Sequence, residues 1–568
     1  MKYFIKLSKH IYHIQRNMSS FKLLLWENSM FVNCSIPMGE TEQKIIVILQ
    51  SPFNKLKKIN LCRSPEDTIR VFIDRLALKL SQTQPKSENE KLRKDCVCIK
   101  VNGIKVPNNS KCYEIFEEIK ENITLQIKDH TFKVIVNAPI ITEFKLGYPP
   151  YQGLMIYPYA FNQGYNVSFM KTQYLWYRIN SNDEIEVGNE MTYTPSAEDV
   201  NCHLKLVCRP FNDAGQSGPS AEITTSPVLE NTITLFPFEK RLKTKPHDSI
   251  RVVTYNILAG EYTKTKEAKN AMFPYCPEDI LSSSYRHPLI IREILAYNGD
   301  IICLQEVDRY FFHRELCPIL KQFKGMTGLF LKKNSRRNEG LSCFYSPDKF
   351  NLLEKFDISF NDPTTIGLYC GPVLEWIKDN DIWKEGLETK TVFQVLVLEL
   401  ISDKKQLFLV CNTHLISDPE GDFLRLFQAL IELTIINKIK QNISKEYLGR
   451  NVSVIFCGDF NSTPESGVYD LVTKLLLSEE YKMMKVYSDL KNNLEFEMES
   501  AYDIDVLYSN YTATFVGLLD YIYFTNQHLE RIQVLTMPSH DDVIQFGGIP
   551  SKLFPSDHLA LVADFKIK

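Results

Sequence analysis

From residue 42 onward the chain alternates short apolar runs with stretches in which apolar residues recur every three or four positions. Lys44–Leu49, apolar after its first residue, reads as a strand, and Cys96–Val101 reads as a second one. Between them, Pro65–Leu80 reads as a helix; Tyr113–Ile119 reads as a shorter one. Residues 42–139 are therefore expected to form a small α+β module, with the charged stretch from Pro85 to Lys94 as a solvated loop.

The pattern changes at about residue 140. Up to residue 238, short strands are punctuated by Gly, Pro and Asn; in His203–Cys208, Leu204, Leu206 and Cys208 alternate with polar neighbours. Trp176 in a central strand and the stretch Tyr193–Val200 resemble immunoglobulin-like β-sandwiches, without a cysteine placed to give the intersheet disulfide. Glu239–Pro246, with Lys240, Arg241, Lys243 and Lys245, reads as a basic linker. Residues 249–568 alternate apolar strand-like runs with helical segments such as Asp422–Lys438, which predicts one large α/β domain.

The N-terminus differs from all of this. Before Glu27 there is no acid, while Lys2, Lys6, Lys9, Arg16 and Lys22 are basic and Phe4, Leu7, Ile11 and Ile14 recur at helical spacing. That composition predicts a mitochondrial transit peptide within residues 1–30 and a location in the mitochondrial matrix. No apolar run approaches the roughly 18 residues of a membrane span. The 568 residues carry 66 Lys and Arg against 69 Asp and Glu, so no global basic field points to nucleic acid, and binding of that kind requires a local patch. The 14 cysteines lack paired metal or disulfide spacing and are expected to be reduced.

The chemistry is concentrated in the last segment, where apolar runs end in polar groups. Arg251–Asn256 ends in an amide, Asp300–Glu306 in a carboxylate, and Leu407–His414 in an imidazole. Val452–Asn461 ends in Asp459 and Asn461, Asp520 opens a strand-like run, and Ser556-Asp557-His558 precedes the final run Leu559–Phe565. Strand tips at a sheet edge are where α/β proteins bind ligands. Taken singly, Gly-Asp-Phe-Asn is most simply a turn, Ser-Asp-His an N-cap, His414 a core histidine and Lys332 to Arg337 a solvated loop. As an ordered set they supply carboxylates, amides and imidazoles. Hard oxygen donors suit Mg²⁺, with Mn²⁺ as a substitute, and a magnesium site with few acids expects phosphate as its partner. Phosphodiester hydrolysis uses this inventory: a cation for phosphoryl charge, a carboxylate for water, and histidines for protons. If Asp459-x-Asn461 is extended, both side chains share one face.

The segments Tyr-Asn-Ile-Leu, Leu-Gln-Glu, Asn-Thr-His-Leu, Gly-Asp-Phe-Asn-Ser-Thr-Pro, Leu-Asp-Tyr-Ile and Ser-Asp-His, in this order, resemble the endonuclease/exonuclease/phosphatase superfamily from about residue 249 to the C-terminus. Tyr275-Cys276, Glu306-Val-Asp308-Arg309, Glu339-Gly-Leu341, Pro538-Ser-His540 and Pro555-Ser-Asp-His558 resemble its mitochondrial branch, which degrades 2′,5′-oligoadenylate and poly(A). The resemblance implies a four-layer α/β/β/α sandwich. It makes Glu306 the principal Mg²⁺ ligand, with Asp557 and Asn256 beside the metal or its waters. Asp459 would activate water, Asn461, Asn256 and His558 would contact phosphate, Asp520 would set the tautomer of His558, and His414 would assist the leaving group or the phosphate. Asp459 and Asn461 would also enter a metal shell if two ions bind. The implied activity is 3′ to 5′ removal of adenylate from 2′,5′-oligoadenylate and from poly(A) tails of mitochondrial RNA, releasing AMP. The alternatives are a nocturnin-like phosphatase acting on the 2′-phosphate of NADP(H) and a non-catalytic RNA-binding scaffold.

Overall fold

The computed structural model describes residues 22–35, 42–54, 57–84, 92, 94–146, 149–168, 171–180, 183–231, 236–333, 337–377, 389–477, 487–488, 494 and 496–568. The chain divides into two compact units, Met1–Asn231 and Thr232–Lys568.

In the first unit a seven-stranded sheet runs in the order Lys58–Arg63, Lys44–Gln50, Ser29–Ser35, His130–Val136, Ile123–Ile127, Val97–Val101, Ile104–Lys105. The helix Ile69–Ser81 buries Ile69, Phe72, Leu76 and Leu80, and the Thr68 hydroxyl caps its start by accepting from the Val71 amide. Ser29–Ser35 is an interior strand, and Met30 on it is fully buried. The module thus starts before residue 42, and its strand begins inside the span 1–30 read as a leader; residues 1–21 lie outside the described residues. Residues 140–231 supply a two-stranded ribbon, Ile140–Leu146 with Pro158–Tyr165, and most of a five-stranded sheet. In that sheet Trp176 is buried with its ring 5.8 Å from Tyr193. All fourteen cysteines are free thiols.

The second unit is built on twelve principal strands: β1 (Ile250–Asn256), β2 (Ile301–Asp308), β3 (Thr327–Lys332), β4 (Glu339–Tyr345), β5 (Phe350–Ser359), β6 (Val392–Leu400), β7 (Gln406–His414), β8 (Asn451–Asp459), β9 (Met498–Ser500), β10 (Asp520–Thr525), β11 (Leu529–Val534) and β12 (Leu561–Ile567). They form two six-stranded sheets, β3-β4-β2-β1-β12-β11 and β5-β6-β7-β8-β10-β9. Each sheet has one central parallel pair, β1 with β2 and β7 with β8, flanked by antiparallel strands. The inner faces meet in a shared core of Val252, Cys303, Cys343, Leu398, Phe408 and Ile455, with Ile522 and Leu561. Over the outer face of the second sheet lie the helices Asp422–Glu446 and Gly467–Lys474, packed on Leu409, Val454 and Phe456. On the outer face of the first sheet, Tyr255 meets Glu293 of the helix Ser283–Tyr297, and Phe344 lies 5.4 Å from Phe312. Strands covered on both faces need continuous apolar runs, and β6 and β7 are buried at every position.

A buried amide pair crosses this apolar interface. Gln305 Nε2 donates to Asn412 Oδ1 at 2.8 Å, while Asn412 Nδ2 reaches the carbonyls of Leu304 and Ser342.

Residues 239–246 are not a free linker. Arg241 is buried and donates to the Ala560 carbonyl at 3.0 Å, Lys240 pairs with Asp542 at 2.8 Å, and Lys245 pairs with Asp300 at 2.8 Å. The basic side chains bind carbonyls and carboxylates of the second unit, which therefore begins before residue 249. Among the described residues no helix is long and apolar enough to cross a membrane.

Candidate active site

Strand register brings three of the expected residues side by side. His414 on β7 is the partner of Asp459 on β8, and Asp459 is the partner of Asp520 on β10; all three are buried. The close approach of β7 to β8 requires Gly458, because a Cβ there would lie 2.4 Å from the Thr413 carbonyl oxygen. The other sheet contributes Asn256 at the end of β1 and Glu306 near the end of β2. Glu306 has φ 54°, and the β2–β4 ladder shifts register between Leu304 and Val307. A bulge of this kind re-aims one side chain out of strand alternation, and the strained backbone marks a constrained position.

Asn256 joins the two halves. Its Nδ2 donates to Asp459 Oδ2 at 2.9 Å and reaches Glu306 Oε1 at 3.3 Å, while its Oδ1 accepts from the Leu258 amide. His414 Nε2 and His558 Nε2 lie 3.5 and 3.6 Å from the same Asp459 oxygen. The Nδ1 of His558 is 2.7 Å from Asp520 Oδ2, which also accepts from Ser509 Oγ at 2.6 Å. Asp557, the neighbour of His558, is buried; Arg286 beside it holds the carbonyls of Ile257, Leu258 and Pro555 and so ties together the loops after β1 and before β12.

Electrostatics divide these groups. Burial, reinforced by Asp557, pushes the Glu306 carboxyl up to about 7, and burial pushes Asp459 up to about 6 against the pull of His558. Burial opposes charge on His558, but Asp520, Asp459 and Asp557 outweigh it and hold the imidazole well above its ordinary range. Burial, with Lys333 and His558 adding to it, pushes His414 well below that range. Two histidines about one carboxylate are thus held in opposite charge states.

Asn461 departs from the expected geometry. β8 ends at Asp459, and Asn461 has φ 48°, so the pair does not share the face of an extended segment. Instead the chain turns, the Asn461 amide donates to Asp459 Oδ1 at 2.9 Å, and Asn461 Nδ2 donates to the Leu415 carbonyl at 2.9 Å. The left-handed region favours Asn among non-glycine residues, and a short amide can bond its own turn.

Three further residues enter the site. Lys333, expected in a solvated loop, places Nζ 3.0 Å from His414 Nδ1 and 3.6 Å from Glu339 Oε1. An ammonium can only donate, so Nδ1 accepts and the ring proton sits on Nε2, facing Asp459. Glu339 is buried and also accepts from the Tyr262 hydroxyl at 3.3 Å. Glu339 stood in the sequence beside Gly340 as part of a resemblance motif, whereas nothing in the lysine run marked Lys333 or in its surroundings marked Tyr262.

These donors suit a divalent cation. Asp557 and Glu339 both raise the cost of ionising Glu306, and the buried Glu339 Oε2 has no hydrogen-bond partner among the described residues. Concentrated carboxylates, offset among the described residues by Lys333, Arg286 and the His558 imidazole, form an oxygen-rich site suited to a cation. Ligand atoms of Asp459, Asp520 and His558 also lie within 4.8 Å of one another. Within that trio the 2.7 Å contact of His558 Nδ1 with Asp520 Oδ2 is a hydrogen bond between imidazole and carboxylate.

Residues 415–558 match the model of the Endonuclease/Exonuclease/phosphatase family. Human 2′,5′-phosphodiesterase 12 is 35% identical over 481 residues, covering 79% of this chain and 77% of that protein. The chain belongs to the endonuclease/exonuclease/phosphatase family. It is an enzyme of the family's phosphodiesterase and nuclease type, and enzymes of this family generally use divalent metal ions. A second family relative, the 3′-5′-exoribonuclease subunit Ccr4 of the CCR4-Not complex from Yarrowia lipolytica, is 28% identical over 353 residues, covering 56% of this chain and 48% of that protein. Among solved structures, ANGEL2, a 2′,3′-cyclic phosphatase, shares 21% identity over 57% of this chain and 99% of that one, with a TM-score of 0.45. The human Nocturnin catalytic domain shares 24% identity over 59% of this chain and 100% of that one, with a TM-score of 0.40.

Proposed function

We propose that the chain is a Mg²⁺-dependent 3′ to 5′ exoribonuclease, served also by Mn²⁺, that hydrolyses 2′,5′-oligoadenylate and 3′,5′ poly(A) and releases AMP. The observation that carries this reading is the convergence of Asn256, His414 and His558 on one oxygen of Asp459. A phosphodiester needs a base for water and donors for its oxygens within one small volume. The names of relatives support the adenylate substrate: 2′,5′-phosphodiesterase 12 of human and mouse, and the Ccr4 exoribonuclease.

Glu306, with Asp557 beside it, would hold the metal, and Asn256, Asp459 and Asn461 would complete its surroundings. The bound ion supplies positive charge against the phosphoryl oxygens and the departing oxygen. Asp459 receives the proton of the attacking water, a task suited to a carboxyl raised toward neutrality. His558 meets the phosphate from Nε2 as a charged donor, while Asp520 fixes its Nδ1. His414, kept uncharged, offers Nε2–H to a phosphoryl oxygen or the leaving oxygen. Asn256 and Asn461 orient these groups and meet the phosphate.

The outer helices and facing sheets of the second unit support the four-layer sandwich. The sheet and ribbon of residues 140–231, with the buried Trp176, support an immunoglobulin-like module. The basic, acid-free N-terminus supports delivery to the mitochondrial matrix and hence mitochondrial RNA as substrate.

The test incubates purified protein with 2′,5′-triadenylate, 3′,5′-oligoadenylate or NADPH, in Mg²⁺ or in chelator, and identifies products by mass. AMP released from the adenylates only with Mg²⁺ is the expected result. NADH from NADPH would replace this reading by a phosphatase, and binding without turnover by a scaffold.

A further inference from the structure

The near-neutral chain has a local cationic groove on the rim of the first sheet. It has a volume of about 440 Å³ and is lined by Arg309, Phe312, His313, Phe330, Lys332 and Lys355, among others. No carboxylate lines it. Among the described residues neither Arg309 nor Lys332 forms an ion pair, and only Lys355 is engaged, by Asp357.

Its position follows from topology. β3 is the edge strand of its sheet and runs in the same direction as β2, since each is antiparallel to β4. The C-terminal tips of β2 and β3 therefore lie at the same end of the sheet, the end that carries Glu306. Arg309 follows β2 by one residue, and Lys332 closes β3. From Lys332 the groove descends through Phe330 to Gly328, two alternate positions further along the strand, or roughly 13 Å. Phe330 is half-buried, with Phe312 at 5.2 Å and His313 at 5.8 Å. Burial, with Arg309 beside it, pushes the His313 imidazole down, which leaves a flat uncharged ring. Outside the lining, Tyr310 is 63% exposed and is stacked by Arg314 at 4.6 Å.

Unpaired cations interleaved with aromatic rings are what a single strand of nucleic acid uses: phosphates track the cations and bases stack on the rings, with little regard to sequence. We propose that this groove binds the chain of a single-stranded oligonucleotide substrate upstream of the nucleotide being cleaved, making the enzyme favour long substrates over dinucleotides. The identification of the ligand rests on the nuclease reading of the cleft; the groove's affinity for a polyanionic strand does not require turnover.

The experiment compares the wild type with the double variant Arg309→Ala, Lys332→Ala, both changes being on exposed side chains outside the catalytic cluster. Binding of a fluorescein-labelled 3′,5′-oligoadenylate of about twelve nucleotides is followed by anisotropy in chelator, across a salt series. Loss of two phosphate contacts should weaken binding about ten-fold and reduce the slope of log affinity against log salt by about 1.4. With Mg²⁺, kcat/KM for the long substrate should fall by a similar factor, while that for 2′,5′-diadenylate stays within about two-fold of wild type. Unchanged affinity and salt slope, or a wild type that does not bind the strand, would overturn the groove. Equal losses on dinucleotide and long substrate would overturn it too, by placing the two residues' effect in the cleft. If the wild type cleaves neither adenylate yet binds the strand through Arg309 and Lys332, the activity reading fails while the groove stands.

Discussion

The Nδ1 of His558 lies 2.7 Å from Asp520 Oδ2, and the Ser509 hydroxyl fixes that same oxygen from the other side. Asp520 is thus a positioning residue: it orients the imidazole and keeps it protonated against the cost of burial. Asp520→Asn should lower kcat by about 10²–10⁴ with little change in KM. The variant's imidazole loses its proton at lower pH, so the alkaline limb of the kcat profile should move to lower pH. A pH–rate profile with NMR titration of His558 checks this; an unmoved limb would show that the pair has only a packing role.

Asp459 is the point on which both sheets converge, and its loss removes the base together with the anchor of Asn256. Asp459→Ala should reduce kcat by on the order of 10³ or more. The circular-dichroism spectrum should remain that of the wild type. Substantial activity in a folded variant would reject the assigned role.

Glu306 in the metal-free protein is pushed up to about 7 by burial and by Asp557, so a cation must displace a proton to bind there. Mg²⁺ affinity should fall as pH drops from about 8 to about 6, and binding should release protons to buffer in calorimetry. At a concentration one hundred times its Kd, Mg²⁺ should stabilise the wild type by about 2.7 kcal/mol. Glu306→Gln should lose most of this gain. A variant melting curve that responds to Mg²⁺ as the wild type does would remove Glu306 from the site.

Glu293, on the helix Ser283–Tyr297, reports on pH without touching the cation site. Its buried carboxyl is pushed up to about 7, although the Tyr255 hydroxyl and Arg241 favour the charge. Between the ordinary carboxylate range and pH 7 the folded state holds a proton that the unfolded state releases. Stability therefore falls as pH rises through this window and levels off above it. Glu293→Gln removes that slope, so its stability relative to wild type should improve by on the order of 3 kcal/mol between about pH 5 and about pH 8. Urea unfolding of both proteins at the two pH values measures the difference.

What the sequence made legible follows from what a strand does to its ends. Asn256, Glu306, His414, Asp459 and Asp520 could be picked out because doubly covered strands are apolar throughout, so a polar tip stands out. The bulge that turns Glu306 and the left-handed turn at Asn461 left no periodic signature, and strand alternation misplaced Asn461. Lys333 was hidden in a basic run whose neighbours are solvated; its partner, His414, arrives from 81 residues away. The supposed linker misled for a related reason. Arg241 and Lys245 have long apolar stems, and only the tertiary fold supplies the carbonyls and carboxylate that their heads bind.

The bond between Gln305 and Asn412 has a mechanical consequence. Apolar side chains across a sheet-to-sheet interface tolerate small lateral slips, since dispersion has little directional preference; a buried amide pair with its remaining donors committed to neighbouring carbonyls does not. Gln305 adjoins Glu306 and Asn412 lies two residues from His414. This bond therefore acts as a dowel between the layers, setting the alignment of the half that would seat the cation against the half that carries the imidazoles.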